Sequence, residues 1–183
     1  NNFAITTDGN GYIYDQSSPL VVWGQLYGVA TDRSRNNYII SLAGGPAYGL
    51  SLGFNFNFYY AEFNGSSQYA SIDAAGPLSF GHTTSAGSFS ISFWMRRDNS
   101  TRIEALLGKG TTTGNREYQV YTTGAGSIVF ALYDQTHGGV SPWIRSTPDS
   151  QFIANKWFHV CVTYDGRGGA TAADGMNMYI NGV

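Results

Sequence analysis

The chain has 183 residues, of which 42% are hydrophobic and 15% aromatic, so there is enough apolar surface to bury a core and disorder is excluded. Charged residues make up only 12%, and a net charge of −2 with ten Lys and Arg removes the clustered cations of a nucleic-acid footprint. The longest aliphatic stretches, such as Leu20-Val21-Val22-Trp23, are far too short for a helical membrane span, and the single Cys161 excludes an internal disulfide framework and a cysteine-rich zinc site.

Good helix formers are scarce, with only three Glu (Glu62, Glu104, Glu117) and two Lys (Lys109, Lys156), whereas Gly contributes 24 residues, Tyr 13 and Phe 11. That balance favours strands joined by tight turns. In the first 48 residues two segments echo each other. One is Ile5-Thr6-Thr7-Asp8-Gly9-Asn10-Gly11-Tyr12-Ile13; the other runs from Val29-Ala30-Thr31-Asp32 to Asn36-Asn37-Tyr38-Ile39. Each is a short apolar run, an Asp-led polar turn and then Tyr-Ile, which predicts a hairpin. Both resemble the strand–turn–strand unit of β-propeller repeats, although two copies cannot close a propeller of about four or more blades. The alternative is two unrelated hairpins with common turn chemistry. Gly44-Gly45-Pro46 breaks any strand, which places a boundary between residues 1–48 and 49–183.

From Leu50 through Leu52, Phe54, Phe56 and Phe58 to Tyr60 every second residue is large and apolar, which predicts one long strand with a wet face. The alternation recurs at Phe89, Ile91, Phe93 and Met95, with Trp94 on the opposite side. It recurs again at Phe158, Val160, Val162 and Tyr164, and at Met176, Met178 and Ile180. Shorter strands are predicted at Gln68 to Ile72, Ile103 to Leu107, Tyr118 to Thr122, Ile128 to Tyr133 and Trp143 to Ser146. Glycine-rich clusters separate them, including Gly108 to Gly114, Gly124 to Gly126 and Asp165 to Gly169. Many short strands at this spacing read as an all-β antiparallel sandwich or barrel.

Five pieces in register resemble the laminin-G-like, concanavalin A-like lectin/glucanase family from about residue 60 to 183. They are the Glu62 to Ile72 segment with Asn64-Gly65-Ser66-Ser67 at its turn, Phe89 to Met95, Leu106 to Gly110, Trp157 to Gly166, and Met178 to Val183. The resemblance implies a two-sheet antiparallel jelly-roll sandwich, here preceded by short hairpins. Asn181-Gly182 is a strong two-residue hairpin signal, and family members continue beyond it with further strands. The expectation is therefore a segment of a longer polypeptide, or a partner chain that supplies the missing strands.

A glycoside hydrolase of this superfamily needs two carboxylates roughly 5–9 Å apart. No Asp/Glu pair stands at i, i+2 on any predicted strand, so the expectation is a non-enzymatic protein, with hydrolase the remote alternative. His159 and Cys161 share a strand face with Trp157 and Thr163; they are too few for a zinc site, and the Trp-x-His segment reads as structural packing. Flat aromatic faces suit the C–H faces of sugar rings, with polar side chains meeting the hydroxyls. On that basis Trp94, Trp143, Asn115, Arg116, Asp134 and Arg145 are the candidate ligand-binding residues. Calcium is common in this fold class, and Asp73 and Asp165 are the candidate ligands of a structural calcium, with Asp98 and Asp174 in loops that could join them.

The leading expectation is a surface-binding or adhesion module that recognises a glycan or a receptor within a virion appendage or an extracellular assembly. Its partners are other copies or other proteins of that assembly, with no nucleic acid and no membrane insertion. The texture resembles bacteriophage tail or head appendage proteins, which assemble in a reducing cytoplasm without disulfides. The alternative is a purely architectural virion or surface-filament component, mildly favoured by the long strand at Leu50 to Tyr60.

Overall fold

In the computed structural model the described residues are 5–7, 13–15, 24–27, 29–32, 39–52, 57–72, 78–80, 87–98, 101–110, 116–134, 143–148 and 152–183. They form fifteen strands and a 3-10 helix at Gly169–Gly175, which makes the protein nearly all β. The chain divides into two compact units, Asn1–Leu78 and Ser79–Val183.

The first unit contains β1 (Ile5–Thr7), β2 (Ile13–Asp15), β3 (Gly24–Tyr27), β4 (Val29–Asp32), β5 (Ile40–Ala43), β6 (Ala47–Leu52), β7 (Asn57–Glu62) and β8 (Tyr69–Ile72). They pair antiparallel as β1/β2, β3/β4, β5/β8 and β6/β7. The first predicted hairpin forms, with Thr7 opposite Ile13. The second does not. β4 pairs with the strand before it, Leu26 opposite Ala30, while Ile40 pairs with Ile72, so the two echoing segments build different units. A nearer partner, Gly24–Tyr27, takes the strand that the Asp-led turn was expected to return.

The single long strand expected from Leu50 to Tyr60 is also two. Leu50 lies opposite Tyr59 and Leu52 opposite Asn57, so the chain reverses between them. Leu50 therefore shares a face with Tyr59, while Phe58 and Tyr60 lie on the other face with Ser51 and Gly49, so the even-numbered apolar set does not stay on one side through the reversal. The boundary expected at residues 48/49 falls inside this unit, within β6. Asn64 organises the next turn: its Oδ1 accepts the backbone N–H groups of Ser66, Ser67 and Gln68 at 3.0, 3.0 and 3.2 Å. The Gln68 amide then donates to the Gly44 and Gly45 carbonyls at 2.9 and 3.0 Å, tying the two loops together.

The second unit is a two-sheet sandwich. One sheet has the order β10 (Ala105–Lys109), β11 (Tyr118–Thr122), β12 (Ile128–Leu132), β13 (Trp143–Ser146); the other has the order β15 (Met176–Ile180), β14 (Trp157–Tyr164), β9 (Phe89–Arg96). Their inward side chains form one core, in which Val120, Ile128, Phe130, Val160 and Val162 are fully buried. Aromatic rings bridge the layers: Phe89 lies 5.2 Å from Tyr118 and 6.0 Å from Phe130, edge-on to the latter. The predicted inward sets on β9, β14 and β15 all face this core.

β10 begins two residues later than expected. Arg97 draws Glu104 into a 2.9 Å ion pair, and the Glu104 N–H donates to Thr122 Oγ1 at 3.0 Å, so Ile103 is left outside the strand and exposed. Asn181 and Gly182 take the positive φ values, 54° and 86°, of a two-residue hairpin turn, closed by reciprocal hydrogen bonds between Ile180 and Val183.

Candidate functional site

Strand parity decides what the three-stranded sheet shows to water. Phe89, Ile91, Phe93 and Met95 point inward on β9, so Ser90, Ser92, Trp94 and Arg96 point outward. On β14 the outward set is Trp157, His159, Cys161 and Thr163, and on β15 it is Asn177 and Tyr179. Antiparallel register aligns Trp94 with His159, and Ser92 with Cys161 and then Tyr179.

Trp94 is 63% exposed in the middle of a strand and Tyr179 is 41% exposed, a large apolar investment for a solvated face. The Trp94 ring lies 5.3 Å from the His159 ring, tilted by 54°. His159 Nε2 and Ser92 Oγ are 2.7 Å apart, which fixes the imidazole on the side of Trp94. The His159 backbone is held in turn by Asn181, whose Oδ1 accepts the His159 N–H at 2.9 Å. At the end of the sheet the Arg96 guanidinium lies over the Trp157 ring at 5.8 Å. Burial pushes the Cys161 thiol pKa up, so the thiol stays protonated and is no activated nucleophile.

A Ser–His contact raises acyl transfer as a possibility, but that chemistry also needs a carboxylate to orient the imidazole and donors for an oxyanion. Every outward position aligned with His159 or its neighbours is neutral, aromatic or cationic. Among the described residues the arrangement offers stacking and hydrogen bonding.

The described candidate residues fall on both sheets. Trp94 belongs to this outer face. Arg116 and Asp134 lie just beyond β11 and β12, where Arg116 sits over the Tyr133 ring at 5.5 Å. The Tyr133 hydroxyl donates to Gln119 Oε1 at 3.1 Å. Trp143 and Arg145 are on β13, in register with Leu132 and Phe130 of β12. Asn115 and Asp73 lie outside the described residues. Tyr179 and Arg96 were missed as site residues, although their parity with Trp94 across the paired strands was readable once the strands were aligned.

Four carboxylates of the second unit are engaged elsewhere. Glu104 is paired with Arg97 and lies 3.6 Å from Arg102; Glu117 accepts from Ser79 at 2.7 and 2.8 Å and lies 3.4 Å from Lys109. Asp98 lies 3.3 Å from Arg102. Asp165, a candidate calcium ligand, instead accepts Nε and Nη2 of Arg167 at 2.8 and 2.5 Å, and these hydrogen bonds hold its carboxyl below the usual carboxylate range. Among the described residues no group of three or more His, Cys, Asp or Glu is placed to hold a metal ion. Nor is any described helix long and apolar enough to cross a membrane.

No curated protein matches the chain. Among solved structures it is similar to one of botulinum neurotoxin type C, from work on that toxin's interaction with two ganglioside molecules, with a TM-score of 0.55 and 20% identity over 88% of this chain and 36% of that one. It is also similar to the botulinum neurotoxin serotype C1 binding domain, with a TM-score of 0.52 and 20% identity over 89% of this chain and 37% of that one. The chain thus spans little more than a third of those chains, and at this identity the likeness establishes the jelly-roll fold alone. A family model described as the concanavalin A-like lectin/glucanases superfamily matches residues 63–183, from the Asn64 turn through β15. The chain belongs to the concanavalin A-like lectin/glucanases superfamily.

Proposed function

We propose that the second unit is a non-enzymatic saccharide-recognition module and that the outer face around Trp94 is its binding surface. The observation that carries this reading is the exposed Trp94 ring beside a hydrogen-bonded Ser92–His159 pair. An aromatic plane takes the C–H face of a pyranose, and adjacent hydroxyl, imidazole and amide groups exchange hydrogen bonds with the sugar's own hydroxyls. Superfamily membership supports the substrate class, as does a type C toxin of similar fold that interacts with gangliosides, which are glycolipids. The pairing of Glu104, Glu117 and Asp165 with cations supports recognition over hydrolysis. In this reading the protein displays the module on a virion appendage or in another extracellular assembly, where other subunits carry the scaffold.

The test is a glycan array probed with the full chain and with Trp94→Ala. Binding by the parent and loss of at least about 90% of the signal in the folded variant supports the reading. A folded parent that binds no glycan, yet self-associates through an interface above about 1,000 Å², favours the architectural role instead.

A further inference from the structure

Within the saccharide-binding reading, on which this step rests, we infer that the ligand is an extended, uncharged, equatorially linked hexose chain of at least three rings. Trp94 and Tyr179 are exposed aromatic positions on the two outer strands of the sheet, β9 and β15, with β14 between them. Two strand spacings separate them, about 10 Å across the sheet. The register adds a further two-residue step, because Trp94 aligns with His159 and Tyr179 with Cys161. The line joining the two rings therefore runs obliquely across all three strands, farther than one pyranose can bridge.

Between the platforms lie the Ser92–His159 pair and the Cys161 thiol. In a β-linked hexose chain with equatorial substituents, successive rings are flipped, so alternate rings present the same face. The first and third rings then stack on Trp94 and Tyr179, while the lateral equatorial hydroxyls of the middle ring exchange hydrogen bonds with Ser92 and His159. Such a chain is a flat ribbon with C–H groups on both faces, which suits the face of a sheet. The aligned outward positions hold no carboxylate and a single guanidinium, that of Arg96, which lies over Trp157, so they offer stacking and hydroxyl-binding groups but no cluster of cations for a polyanion. An uncharged, hydroxyl-rich ribbon matches that surface.

The experiment titrates the full chain with glucose, cellobiose, cellotriose and cellotetraose, and with the matching β-linked N-acetylglucosamine series, by calorimetry. In at least one series affinity is expected to climb about tenfold or more from one ring to three, the gain of a second stacking contact, and then to level off. Tyr179→Ala flattens that climb, Tyr179→Phe keeps it, and Trp94→Ala removes binding at every length. Equal affinity for one ring and three, or undiminished trisaccharide binding by Tyr179→Ala, overturns the extended-chain inference and leaves the saccharide reading standing. So does array binding confined to acidic or α-linked glycans. Failure of the folded parent to bind any glycan on the array overturns both.

Discussion

The two sheets of the sandwich share one core but treat their outer faces differently. On the four-stranded sheet all five residues of β12 are buried, including Val129 and Ala131, whose side chains point away from the shared core. Its polar neighbours are satisfied internally, as when Tyr133 donates to Gln119 and Arg116 lies over Tyr133. On the three-stranded sheet the outward residues of β9 are all exposed, with a tryptophan among them. Covered outer positions contribute to stability, whereas an exposed aromatic on a solvated face contributes little to it. Such an exposed ring is instead available to a ligand.

The largest contrast comes from truncating one aromatic on each side of this divide. Phe130→Ala, which empties the fully buried centre of the core, is expected to cost about 3–5 kcal/mol in chemical denaturation. Trp94→Ala should change the midpoint by no more than about 0.5 kcal/mol while abolishing saccharide binding. Comparable losses from both would erase the distinction.

A lysine scan of the two outer faces sharpens it. Ala131→Lys, at a position with no exposure, is expected to lose about 2–4 kcal/mol through overpacking and a desolvated ammonium. Ser90→Lys, at an exposed position on the other sheet, should stay within about 0.5 kcal/mol. Equal tolerance at the two positions would show that the four-stranded face is open in solution.

The smallest effect is a titration. Burial, with the Glu117 charge second, pushes the Tyr118 hydroxyl up to about 12. Since the folded value is raised above the usual 10, this group's contribution is fully present below pH 10 and is lost as the pH rises through about 12. Denaturation midpoints between pH 9 and 12 should therefore fall less steeply for Tyr118→Phe than for the parent. Identical slopes would mean that Tyr118 is not held in the core.

Much of the second unit was legible as pattern. Parity along Phe89 to Met95 and Trp157 to Tyr164 assigned every core-facing residue on β9 and β14, and it put Trp94 outside. Legibility was poorer where pairing overrides the local pattern. The Leu50 to Tyr60 alternation reads as one strand but folds as two, and the Val29 to Asp32 strand had a partner available on either side. Of the candidate ligand-binding residues, Trp94 lies on the three-stranded sheet, whereas Arg116, Asp134, Trp143 and Arg145 lie on or beside β11 to β13 of the other, a division set by strand pairing that side-chain chemistry does not encode.

Composition and periodicity alone determined a low-charge, aromatic-rich, antiparallel all-β sandwich or barrel, since they record which side chains must leave water and at what interval. Which aromatic ring stays in water was decided by tertiary structure. Trp94 and Trp157 both stand at outward parity, yet Trp157 is half-buried with Arg96 over it, and Trp94 stands exposed with Tyr179 two strands away. That separation depends on which strands pair and in what register, a property of non-local hydrogen bonding that no local window contains.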